Sequence, residues 1–123
     1  MGLFRVFLGI EAGTVESLRR LGRSQSLAQN LHALDVVNRL GLHVCFNLLM
    51  FNPDSTLEDV AANVRFLREH PRNPINFCRA EVYAGTPLES WLRAAGRLQG
   101  DYWGQDYRFK DEQVQLAYDI VEQ

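Results

Sequence analysis

Gly9-Ile10-Glu11-Ala12-Gly13 stands where an apolar run gives way to a turn, and the reading of this stretch decides the fold. Phe4 to Ile10 is apolar except for Arg5, the composition of a short strand buried on both faces. Glu11-Ala12-Gly13-Thr14 then turns the chain. Thr14 is placed to cap a short helix through Leu21, with Glu16 in its first turn, Arg19 and Arg20 in its last, and Gly22 just past its end. Strand, polar turn and capped helix form one unit.

The unit recurs downstream. Ser26 and Gln29 have capping-box spacing ahead of Leu27, Leu31, Leu34, Val37 and Leu40, an apolar stripe at helical period that stops at Gly41. His43 to Met50 is the second strand, and Asn52-Pro53-Asp54-Ser55 is a turn by composition. Ser55 and Glu58 repeat the capping-box spacing before a helix faced by Leu57, Val60, Ala61, Val64 and Leu67, which ends before Pro71. Ile75 to Tyr83 reads as the third strand. Thr86, Pro87 and Glu89 then start a short helix that Gly96 ends. Residues 1–95 thus form one β/α body. Residues 96–123 add an irregular aromatic tail, Gln99 to Phe109, and a helix from Asp111 through Val121 that packs on it.

Strands joined by helical crossovers run parallel, so all three strand ends face one way. The fold class is α/β, a partial barrel of the (β/α) TIM type with about three parallel strands and covering helices. A complete eightfold barrel takes roughly 200 to 250 residues, and this chain has 123. Three strands leave an apolar edge exposed, which predicts either a longer parent protein or pairing of copies. A first strand starting almost at residue 1 favours the longer parent.

Net charge is −2 with both signs interspersed, which points away from nucleic acid and toward small-molecule or protein partners. No stretch has the length of a membrane span or the form of a secretory leader, so a cytoplasmic location is expected. Cys45 and Cys78 lie in apolar runs with no Cys-x-x-Cys pair and no His at ligand spacing. They read as small buried hydrophobes, with a disulfide as the alternative. His32, His43 and His70 have no triad spacing, and the glycines form no phosphate loop.

Gly9-Ile10-Glu11-Ala12-Gly13, Leu18-x-x-Leu21-Gly22-Arg23, Asn30, Gly41-Leu42, the Met50-Phe51-Asn52-Pro53-Asp54-Ser55-Thr56 turn and Gly85-Thr86-Pro87-Leu88 together resemble the C-terminal half of a radical S-adenosylmethionine (SAM) barrel, closest to the cobalamin-linked members. The resemblance runs from Arg5 to about Leu88. It implies a parent enzyme with a [4Fe-4S] cluster, SAM, a small-molecule substrate and, where an upstream domain brings it, cobalamin. The implied chemistry is radical formation or methyl transfer, of transferase or oxidoreductase type. The three-cysteine motif that holds the cluster in that family is not in this chain, so the chain alone is expected to be inactive and to need the N-terminal half of the barrel. The turn after the second strand also departs from a Gly-x-Pro-Gly-Glu-Thr form that many members carry.

Six residues stand at strand ends or interrupt strands. Glu11 suits the ribose hydroxyls or ammonium of SAM, or else an ion pair with a barrel arginine such as Arg79. Asn47, polar in mid-strand, suits SAM, substrate or a structural hydrogen bond. Arg79 suits a carboxylate or phosphate ligand, or an internal salt bridge. Met50, Phe51 and Tyr83 suit the walls of an adenine site, or core packing. The tail from Tyr102 to Phe109 suits a cap over the barrel mouth or a packing strap. Two other readings remain open: another β/α barrel that binds an anion through Arg79 and Glu11, and a self-associating interaction module.

Overall fold

The computed structural model describes residues 2–122, apart from the side chains of residues 76 and 77. The elements in chain order are β1 (Arg5–Glu11), α1 (Val15–Arg20), α2 (Leu27–Arg39), β2 (His43–Phe51), α3 (Leu57–Glu69), β3 (Ile75–Arg79), α4 (Pro87–Ala94), β4 (Leu98–Asp101), β5 (Gly104–Tyr107) and α5 (Glu112–Val121). β1, β2 and β3 form one parallel sheet in that order, so each helical crossover returns the chain to the adjacent strand. This is one arc of a β/α barrel.

Alternation along the strands decides which face the helices cover. Val44, Phe46, Leu48 and Met50 of β2 join Ile10 of β1, Leu34 and Val37 of α2 and Phe66 of α3 in the core. Phe7, Gly9 and Glu11 of β1, with Cys45, Asn47 and Leu49 of β2, alternate with these and form the other face. Among the described residues no helix joins that face, and Phe7 is 57% exposed there.

Most of the expected ends hold, since each is set by a local hydrogen bond. Thr14 accepts from the Ser17 amide, and Ser26 and Gln29 form a reciprocal capping box. The cap of α3 is shifted by one residue from the expected Ser55. The Ser55 hydroxyl accepts from the Asn52 amide at 2.9 Å and is spent on the turn, so Thr56 caps the helix with Asp59 as its partner. β3 is shorter than the expected Ile75 to Tyr83. The Ala80 amide donates to Phe51, the last residue of β2, and no strand remains beyond it for residues 81–83 to pair with.

The tail is the larger departure. The stretch expected to be irregular contains an antiparallel hairpin, Leu98 facing Tyr107 and Asp101 facing Gly104. Gly100 sits at φ +82°, and a Cβ there would lie 1.9 Å from the Gly104 carbonyl oxygen. Asp101 closes the turn by accepting from the amides of Trp103 and Gly104. Tyr107, Phe109 and Val114 carry the tail into the same core as the sheet.

Asp59 ties α1 to α3. Its carboxylate accepts from the Arg20 guanidinium at 2.8 Å, the Ser17 hydroxyl at 3.1 Å, and both the amide and the hydroxyl of Thr56 at 2.9 Å. Burial alone would raise its pKa; the Thr56, Arg20 and Ser17 donors outweigh burial and hold it below the ordinary 3.8. A carboxyl with a depressed folded pKa contributes stability above its unfolded pKa and loses it as pH falls through the folded one. Asp59→Asn is therefore expected to cost about 2 kcal/mol at pH 7. In urea titrations the gap from the parent chain should close as pH drops below 3.8. Equal stability of the two proteins at pH 7 would contradict this role.

Candidate functional site

The chain leaves the sheet at the end of β1 through a strained turn. Pairing with β2 runs from Arg5↔His43 to Gly9↔Asn47, then skips Ile10 and resumes at Glu11↔Leu48. Glu11 is the one residue other than glycine at positive φ among those described, at +68°, and the Ala12 amide donates to the Ile10 carbonyl across it at 2.8 Å. This is a γ-turn of the rare positive-φ kind. A side chain held there costs on the order of 1 kcal/mol or more, and such residues gather at functional sites.

The bulge frees backbone groups that neighbouring side chains take up. Gln25 donates to the Gly9 carbonyl at 3.0 Å and Asn30 to the Ile10 carbonyl at 2.8 Å. Asn63 of α3, 2% exposed, accepts from the Gly13 amide at 2.9 Å and donates to the carbonyls of Leu49 and Met50 at 3.3 Å. One side chain thereby locks the turn after β1 onto the end of β2. A Cβ on Gly13 would lie 2.8 Å from the Phe66 Cβ, so only glycine lets the turn approach this closely.

The strain aims the Glu11 carboxylate. Its Oε1 would lie 2.7 Å from a Cβ on Gly9, so it folds back over the bare backbone of the uncovered face. Glu11 is 9% exposed, and its ion partner is the half-exposed Arg23 at 3.4 Å. Asn47 pairs across from Gly9, and its Oδ1 lies 3.7 Å from the Cys78 sulfur, within reach of the weak S–H donor. Burial first, then the carboxylates of Glu81 and Glu11, push the Cys78 thiol up, so it is protonated at neutral pH. Cys45 and Cys78 are both free.

Of the six residues singled out in the sequence, the structure brings Glu11 and Asn47 together on the uncovered face. Met50 and Phe51 are packed in the core, Phe51 against Phe109 and Tyr118. Arg79 does not meet Glu11. It is turned to the tail, where Asp106 pairs with it and Tyr107 and Tyr118 present their faces at 4.6 and 5.3 Å. Tyr83 is exposed and bonded through its hydroxyl to Glu81. Sequence reasoning passed over Gln25, Asn63 and Glu81, and quoted Asn30 only as part of the resemblance. The signal for Asn63 was a polar residue on an otherwise apolar helix face.

Among the described residues no three His, Cys, Asp or Glu side chains gather as a metal site. With two cysteines in the whole sequence, a three-thiolate cluster site does not fit this chain. A ligand with hydroxyl or ammonium donors does fit the Glu11 carboxylate and the Asn47 amide.

No family model matches the chain. It is 27% identical over 122 residues to an uncharacterized methyltransferase of Pyrococcus horikoshii, covering 99% of this chain and 26% of that protein. It is 32% identical over 113 residues to a hopanoid C-3 methylase of Methylococcus capsulatus, covering 92% of this chain and 20% of the relative. The solved structure of OxsB, a cobalamin-dependent SAM radical enzyme with aqua-cobalamin bound, superposes over 90% of the chain and 22% of its own with a TM-score of 0.76 at 18% identity. At that identity the likeness to OxsB shows a shared fold. The chain spans about a quarter or less of the length of these proteins. Within that share, this chain forms an arc of a TIM-type barrel, and no helix among its described residues is long and apolar enough to cross a membrane.

If Glu11 is placed for ligand rather than for folding, Glu11→Gly relieves the strained φ and leaves stability within about 1 kcal/mol of the parent, since a half-exposed ion pair is worth little. Gly13→Ala, which jams the buried Phe66, should cost about 1–3 kcal/mol. Chemical denaturation of both variants checks this. A larger loss for Glu11→Gly than for Gly13→Ala would make Glu11 a structural residue.

Proposed function

We propose that this chain is the arc of a radical SAM enzyme that holds SAM from the Glu11 side, within a longer protein that supplies the cluster ligands. The observation that carries the reading is a carboxylate held at positive φ on the uncovered face of the sheet, at the strand end where β/α barrels bind. Glu11 accepts hydrogen bonds from ribose hydroxyls or the ammonium, and Asn47 adds an amide beside it. Met50, Phe51 and Arg79 shape the end of the sheet from its covered side, and Tyr83 stands at the rim.

In such a parent a reduced [4Fe-4S] cluster supplies the electron for SAM cleavage. What these residues supply is binding and orientation. Methyl transfer is the reading that the names of the relatives support, and cobalamin joins it if the parent carries the domain for it. The exposed edge of β1, with Phe4 and Phe7 beside it, is where the preceding barrel strands pair. The free thiols suit a reducing, cytoplasmic setting.

The test is anaerobic reconstitution with iron, sulfide, SAM and reductant, followed by assay for 5′-deoxyadenosine and S-adenosylhomocysteine. The 123-residue chain alone should form neither. A longer parent with an upstream cysteine triad should form one of them, and Glu11→Gln should weaken SAM binding at least tenfold. A parent without such a triad, or a Glu11→Gln variant that binds SAM normally, would refute the proposal.

A further inference from the structure

Between the end of β3 and the β4–β5 hairpin lies a groove of about 390 Å³. Its walls are the rings of Tyr83, Tyr102 and Trp103, which are 63%, 75% and 89% exposed. Tyr102 and Trp103 stand edge to face with centroids 5.2 Å apart. The groove is preformed, because the hairpin is fastened at several points. Asp106 pairs with Arg79, the buried Tyr107 hydroxyl donates to the Ala80 carbonyl at 2.8 Å, and Asp101 holds the tip.

The charge in the groove is one-sided. Arg79 is neutralised by Asp106 and stacked on Tyr107. Glu81 is exposed, and among the described residues its carboxylate meets the Tyr83 hydroxyl and no cation. Aromatic faces next to a carboxylate without a cation attract a flat group that carries positive charge, through ring quadrupole and ion pair together. Glu81 and Tyr83 of the groove follow shortly after Cys78, whose sulfur lies 3.7 Å from Asn47 Oδ1 on the uncovered face.

We propose that this groove binds a planar, cationic ring group, and that it seats such a group of the substrate. The assignment to substrate rests on the reading of Glu11 as a SAM contact; the binding of the ring does not.

The test uses benzylamine and its neutral analogue benzyl alcohol with this chain, followed by tryptophan fluorescence excited at wavelengths where neither probe absorbs. Benzylamine should quench saturably at pH 7 and benzyl alcohol should bind at least tenfold more weakly. Trp103→Ala should abolish the response while Trp91 still reports a folded protein, and Glu81→Gln should erase the preference for the amine. Equal binding of the two probes, no saturable binding, or an unchanged response in both variants would overturn the proposal. If the amine binds yet the parent fails to bind SAM through Glu11, the ring site stands and its assignment to substrate falls.

Discussion

Ending a sheet strand abruptly leaves amides and carbonyls without ladder partners, and each must be bonded elsewhere or cost stability. The end of β1 meets this constraint with side chains from three separate segments. Gln25 and Asn30 take the carbonyls of Gly9 and Ile10, and Asn63 joins the Gly13 amide to the end of β2. The positive φ of Glu11 is sustained because the backbone on both sides is fixed in this way. Site geometry and sheet integrity are thus one problem with one solution.

A second set of contacts fastens the tail to the same end of the sheet. The Arg97 guanidinium donates to the Asp54 carboxylate at 2.8 Å and to the carbonyls of Pro53 and Arg108, and it lies 5.2 Å from the centre of the Trp91 ring. The Lys110 amide donates to the Pro53 carbonyl as well. The turn after β2 is therefore held from the hairpin side, while Asp59 holds α3 from the α1 side. Burial pushes the Tyr107 phenol up, which favours the protonated hydroxyl that donates to the Ala80 carbonyl. The covered face is fastened at several points by these contacts.

Much of this was legible in the sequence because it depends on neighbours in the chain. Thr14, Ser26 and Thr86 cap helices through bonds to residues three positions on, and the apolar stripes of α2 and α3 follow the helical period. The hairpin was not legible, since its short strands hold few β-formers and its turn depends on the φ of Gly100. Nor was the partner of Glu11: Arg79 was the nearer guess by strand logic, but the tail aromatics draw Arg79 to the covered face and leave Arg23 for Glu11. Long-range choices between competing partners are decided by packing, which a single sequence does not display.

The most direct measurement is an experimental structure of the longer parent, prepared anaerobically with SAM bound. The account predicts the SAM ribose or ammonium within hydrogen-bond distance of the Glu11 carboxylate on the uncovered face, with Asn47 beside it. SAM seated elsewhere, with Glu11 still paired to Arg23 and touching no ligand, would contradict it.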